Sequence, residues 1–144
     1  MDWDASYSIG VKRIDIQHRK LIALLTDLED AINRRLSATE IGNALKFLAD
    51  YTKYHFHDEE EVMRHIGFSD AVEHRKLHKQ FADKVVAMLL TLKAGKPLDM
   101  LNLLHFLNNW TIRHILREDQ KIGAEIASRL SDEERRKLEL AAPI

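Results

Sequence analysis

His55-Phe56-His57-Asp58-Glu59 and, further on, His74-Arg75-Lys76-Leu77-His78 are the stretches that decide how this chain folds. Each sets two metal-ligand side chains four residues apart, a spacing that stacks them on one face of an α-helix. Gly67 lies between the two stretches. Together they read as a helical hairpin with a ligand cluster between its arms.

Working outward, the same period continues on both sides. Upstream of His55 run Ile41, Leu45, Leu48 and Thr52, and Val62 follows Glu59, with steps alternating four and three. That is the seam of a packed helix. Ser37 and Glu40 have capping-box spacing at its start, and Gly67 suits its C-terminal end. The next helix opens at Ser69 or Asp70, carries His74, His78, Phe81, Val85, Met88 and Leu92 on its seam, and is stopped by Gly95 and Pro97. An earlier helix carries Ile14, His18, Leu21, Leu25, Leu28 and Ile32, with Asp15 placed to suit the helix dipole. A later one is capped by Asp99 and carries Met100, Leu103, Leu107, Trp110 and His114; its pattern blurs after Arg117. Ser131 and Glu134 form a second capping box, which makes residues 132–141 a candidate short fifth helix.

Four helices with short connections predict an all-α, up-down-up-down bundle with an N-terminal arm. In that topology His18, His55, Glu59, His74, His78 and His114 all fall within roughly 6–17 Å of the same bundle end. All six occupy seam positions, and polar side chains gathered in one core layer must find partners or bind something. His57 lies about 200° around its helix from His55, and His105 about 180° from His114, so both are assigned to solvent or to secondary contacts, as is His65.

Composition narrows the function. The 144 residues are enough for one domain with a real core, and the formal net charge is −1 without a basic block. Nucleic acid and membrane are therefore not expected as partners. The chain has no Cys, which excludes disulfides, thiolate zinc sites and iron–sulfur clusters. With no signal-like segment, a cytoplasmic location is the expectation. Imidazole and carboxylate without thiolate suit zinc, iron, manganese, nickel or copper. Five His and two carboxylates exceed one tetrahedral site and suit two metals bridged by carboxylates. His55 and Glu59 do not make the His-Glu-x-x-His pattern of metalloproteases, and the Glu-x-x-His pairs of ferritin-like proteins are absent from the cluster.

These residues resemble the bacterial branch of the hemerythrin oxygen-binding proteins. The likeness runs over about residues 3–123: Trp3, Tyr7-Ser8-Ile9-Gly10, Asp15-Ile16-Gln17-His18, Tyr54-His55-Phe56 with Glu59-Glu60, His74-Arg75-Lys76-Leu77-His78, then Trp110, His114-Ile115 and Asp119. The resemblance implies two iron ions with an oxo or hydroxo bridge. One takes His74, His78 and His114, the other His18 and His55, and Glu59 and Asp119 bridge them. The second iron keeps an open position for dioxygen, in a pocket formed by Leu21, Phe56, Trp110, Thr111 and Ile115. The implied function is reversible oxygen binding for storage, delivery or sensing. The competing expectation is a di-iron oxidase or peroxide-scavenging enzyme that turns over the oxygen adduct.

Two departures stand out. Thr111 occupies a place where the family commonly has Leu. The chain also continues past the usual end, so residues 1–123 are expected to form the di-iron bundle and 124–144 a helical extension of the same domain, one that could cover the bundle end or mediate homo-oligomerisation. Asp119 poses a geometric problem: five residues after His114, a regular helix places it about 140° away. A widened, π-type turn between the two is expected to swing it inward.

Overall fold

The structure, a computed structural model, describes residues 2–140 (for Leu140, the backbone alone). After a short 3-10 turn at Ala5–Tyr7 come α1 (Lys12–Asn33), α2 (Ala38–Ile66), α3 (Ala71–Lys93) and α4 (Met100–Arg113). A π-helical segment, His114–Asp119, joins α4 without a break to α5 (Gln120–Arg129), and α6 (Asp132–Leu140) follows. The four long helices make the expected bundle. Residue 141, the last of the expected fifth helix, lies outside the described residues.

The helix ends follow local chemistry. Ser37 Oγ accepts from Glu40 N at 3.1 Å and Glu40 Oε1 accepts from Ser37 N at 3.4 Å, a reciprocal box that typically contributes about 1 kcal/mol. At the other end of α2, Gly67 takes a left-handed φ of 63°, and Phe68 N reaches back to Met63 O. The same box recurs at Ser131 and Glu134, opening α6. Asp70 opens α3, as expected. Neither Ser69 nor Asp70 caps it with a side chain; Ser69 N instead donates to the Glu125 carboxylate, because α5 passes close by.

The seams are buried as the period demands, with only Ile32, Met100 and Trp110 partly exposed. They form two separate apolar clusters. The larger contains Leu25, Leu28, Leu45, Leu48, Val85, Met88, Leu103 and Leu107. The smaller contains Ile9, Val11, Ile14, Val62, Met63, Ile66, Phe68, Ile122, Ile126 and Leu138. Fully burying one such side chain is worth about 1.5–3 kcal/mol, so both clusters hold the helices firmly. Along each helix the polar seam residues fall between the two clusters: Ile14, then His18, then Leu21 on α1; Leu48, then His55 and Glu59, then Val62 on α2.

The N-terminal arm closes the smaller cluster. Asp15 Oδ1 accepts from Ile9 N at 2.9 Å and its other oxygen accepts from Ser8 Oγ. Gln120 Nε2 donates to the carbonyls of Ser6 and Ser8 at 3.2 and 3.1 Å. Gly123 lets the arm approach α5, since a Cβ there would stand 2.2 Å from Ile9 O.

Candidate metal centre

The polar layer gathers all seven residues expected from the sequence. His18, His55, Glu59, His74, His78, His114 and Asp119 are each at most 5% exposed. His57, His65 and His105 lie on the solvent side. The π segment spans His114–Asp119, as expected, and it brings Asp119 Oδ1 to 3.0 Å from His114 Nε2. This extra residue in one turn also explains the blurred pattern after Arg117: the phase of α4 does not continue into α5, where Ile122 and Ile126 are the buried residues.

The layer divides into two groups able to hold cations. In one, ligand atoms of Glu59, His74, His78, His114 and Asp119 lie within 4.8 Å of one another; in the other, those of His18, His55, Glu59 and Asp119 do. Both carboxylates straddle the divide. Glu59 Oε1 stands 2.7 Å from His74 Nε2 and 3.1 Å from His78 Nε2, while Oε2 stands 3.2 Å from His55 Nε2 and 3.4 Å from His18 Nε2. Asp119 Oδ1 faces His74 and His114 at 3.1 and 3.0 Å, and Oδ2 faces His18 at 3.0 Å.

Hydrogen bonding leaves this layer unfinished. His18 Nε2, Glu59 Oε2 and both Asp119 oxygens are buried without a hydrogen-bond partner among the described residues. Although 3.0 Å separates His18 Nε2 from Asp119 Oδ2, no hydrogen bond forms along that line. Orphaned buried acceptors and ring nitrogens aimed at common points fit a cation better than they fit one another. The donor set, nitrogen and oxygen without sulfur, suits iron among the first-row metals.

Protonation reflects the same crowding. Burial pulls His18, His74 and His114 down, but the Asp119 and Glu59 carboxylates outweigh it, raising them to about 9, 10 and 9. His55 goes the other way: burial dominates and holds it below its ordinary value. Burial also opposes ionisation of Glu59 and Asp119, yet the surrounding imidazoles hold both below the usual carboxylate range. A metal ion bound here would take the place of the imidazole protons and serve the same carboxylates.

Rings and outer partners orient the histidines. His78 stacks on Phe56 at 3.8 Å and His114 on Trp110 at 4.4 Å. His78 Nδ1 lies 2.8 Å from Glu60 Oε2 and His55 Nδ1 lies 2.7 Å from Gln17 Oε1, so each ring turns Nε2 inward. Beside the layer is a small cavity of about 10 Å³, the order of space one water-sized molecule occupies. Leu21, Phe56, Trp110, Thr111 and Ile115 all line it, next to His18 and His55. So does Thr52, which sequence reasoning placed on the α2 seam without a role. Gln17, Asp58 and Glu60 were also missed as partners of the layer; the available signal was a polar residue directly beside each ligand in sequence.

The family of the Hemerythrin HHE cation binding domain matches residues 9–126. A bacteriohemerythrin from Stenotrophomonas maltophilia is 30% identical over 129 residues, covering 90% of this chain and 83% of the relative. Myohemerythrin-1 from Phascolopsis gouldii is 31% identical over 124 residues, covering 86% of this chain and 92% of that one. Among solved structures, a wild-type hemerythrin aligns with a TM-score of 0.82 at 26% identity, covering 88% of this chain and 98% of its own.

Proposed function

Because the chain belongs to the hemerythrin family, we propose that it binds dioxygen reversibly at two iron ions held in the polar layer, as a binding protein for storage, delivery or sensing. His74, His78 and His114 hold one iron; His18 and His55 hold the other. Glu59 and Asp119 bridge the two. The observation that carries this reading is the straddling of both carboxylates, each with one oxygen toward each histidine group. When bound, the iron pair would supply the electrons that oxygen takes up on binding and gives back on release.

The chain's residues supply the remainder. The histidine count is three against two, which leaves the His18 and His55 side with room for a ligand. The cavity touches both His18 and His55 on that side but only His114 of the other three histidines, and it has room for about one water-sized molecule. Leu21, Phe56, Trp110 and Ile115 keep water out of it and so slow the delivery of protons. The ligands are mostly neutral imidazoles, which stabilise highly oxidised iron less than additional carboxylates would.

One observation favours the enzyme reading as a runner-up. Thr111 and Thr52, which both carry hydroxyls, line the cavity, and hydroxyls can pass protons to bound oxygen. Oxygen titration of the reduced, iron-loaded protein separates the two. A stable optical change that reverses on removing oxygen supports binding; rapid loss of the oxygenated spectrum with oxygen consumption supports an oxidase.

A further inference from the structure

The C-terminal helix is tied to the polar layer by a buried chain of side chains. Leu138 O accepts from Arg13 Nη1 at 3.1 Å. Arg13 Nε stands 3.0 Å from Asp58 Oδ2. The same carboxylate oxygen accepts from Gln17 Nε2 at 2.6 Å, and Gln17 Oε1 stands 2.7 Å from His55 Nδ1. Arg13, Gln17, Asp58 and His55 are each at most 6% exposed. None of the first three belongs to the ligand set proposed above.

Donor and acceptor chemistry gives this chain a direction. A guanidinium can only donate and a carboxylate can only accept. Asp58, held by Arg13, therefore demands the amide nitrogen of Gln17. The Gln17 carbonyl is left facing His55, which must then carry its proton on Nδ1. That tautomer frees the Nε2 lone pair for the polar layer, where Nε2 lies 3.2 Å from Glu59 Oε2. A hydrogen bond at Nδ1 also makes the ring a stronger ligand.

The far end of the chain is its weakest part. Helix α6 has nine residues and most of them are exposed. It is held by the buried Leu138 side chain, by Glu139 Oε1 accepting from Lys12 N at 2.6 Å, and by Arg135 Nη2 donating to Ala127 O at 3.2 Å. Short segments with few buried contacts open locally well below the free energy of global unfolding. When α6 lifts, Arg13 loses the Leu138 carbonyl and water reaches the Arg13–Asp58 pair.

We propose that α6 is a built-in regulator of the metal centre: its seating on Arg13 sets, through Asp58 and Gln17 as positioning residues, the tautomer and ligand strength of His55. The link to iron rests on the functional reading above; the tautomer is a property of the chain itself. The test uses the full-length chain and two readouts. Long-range proton–nitrogen correlation spectra of the metal-free protein, at mildly alkaline pH, report which His55 nitrogen carries the proton. Iron titration reports affinity.

Wild type is expected to show the Nδ1–H tautomer. Asp58→Ala removes the acceptor that fixes the Gln17 amide, so Gln17 is free to reverse and the Nε2–H tautomer appears. Iron affinity should then fall about tenfold or more, the usual effect of losing an outer partner. Leu138→Asp, which unseats α6, should shift both readouts in the same direction by less. Arg13→Gln cuts the link while keeping the buried Leu138 side chain and the Lys12–Glu139 and Arg135–Ala127 contacts of α6, and serves if Leu138→Asp fails to fold. Wild-type tautomer and iron affinity in folded Asp58→Ala, or in both of the other variants, would overturn the proposal. Wild-type protein that takes up no iron would instead defeat the functional reading, and the tautomer comparison would still decide the relay.

Discussion

Asp119 follows His114 by five residues, yet its Oδ1 lies 3.0 Å from His114 Nε2, because the turn between them is π-helical. The widened turn sets both side chains on the inner face of one continuous helix. Asp119 is fully buried with neither oxygen hydrogen-bonded among the described residues. Replacing it by Ala should leave His18 without its nearer carboxylate and lower metal content, with far-ultraviolet circular dichroism little changed. Full metal content in Asp119→Ala would remove it from the ligand set.

His78→Ala and His57→Ala form a matched pair on neighbouring helices. His78 is 2% exposed and stands 3.1 Å from both Glu59 Oε1 and His114 Nε2. Its loss should remove at least one iron and destabilise the fold by about 3–5 kcal/mol, the usual cost of leaving buried charged groups without a partner. His57 is exposed, and His57→Ala should keep iron content and stability within about 0.5 kcal/mol of wild type. Metal analysis with thermal melts checks both.

The metal-free protein should lose stability as pH rises. His18, His74 and His114 have folded values of about 9, 10 and 9 against an ordinary 6.5. Groups raised on folding stabilise fully below the unfolded value, and that stabilisation is lost as pH climbs through the folded one. The decline should therefore run from about pH 6.5 to about pH 10. Glu59 and Asp119 are lowered on folding, so their contribution is lost on the acid side as pH falls through their folded values. Metal uptake near neutral pH should release about three protons, one from each raised histidine. Melting temperature against pH, without and with metal, checks this; an apo-protein equally stable across the alkaline range would refute it.

Much of the architecture was legible because the seams alternate four and three without interruption from Ile14 to Ile32, from Ile41 to Val62 and from His74 to Leu92. The ligand layer was legible for the same reason, since its residues are polar intruders in an apolar register. Even the π turn followed from Asp119 falling out of phase. The relay was not legible. Arg13, Gln17 and Asp58 lie off the seam, where polar residues are normally solvated; contacts between α1 and α2, together with the docking of α6 on Arg13, pair them instead. That docking turns on Leu138, a single buried apolar residue in a charged segment, too weak a pattern to place in advance.

Gly123→Ala tests the N-terminal arm. The added methyl would meet Ile9 O at 2.2 Å, so the arm must move off α5. Overpacking of this kind costs about 1–3 kcal/mol. Movement of the arm should also disturb Trp3, whose ring lies under Arg19 at 4.8 Å, and so change tryptophan emission. Unchanged emission and stability would mean that the arm is not held there.

Thr111 concerns the lifetime of the oxygenated protein. A threonine in a helix commonly bonds a carbonyl one turn back, as Thr26 does to Ile22 and Thr91 to Ala87. Thr111 makes no such bond to Leu107 among the described residues, and it lines the cavity. Its hydroxyl is thus available to a ligand or a water. Thr111→Leu should slow decay of the oxygenated form about fivefold, the kinetic equivalent of one hydrogen bond of about 1 kcal/mol. Stopped-flow decay rates that match wild type would remove Thr111 from the oxygen chemistry.

The most direct test of the central claim is iron content measured together with the optical spectrum of one sample, reduced without air, exposed to oxygen, then deoxygenated. The account predicts about two irons per chain, in keeping with a carboxylate-bridged pair in a four-helix bundle, and an absorption that appears with oxygen and disappears on its removal over repeated cycles. One iron or fewer per chain, or a spectrum that oxygen changes once and irreversibly, would contradict it.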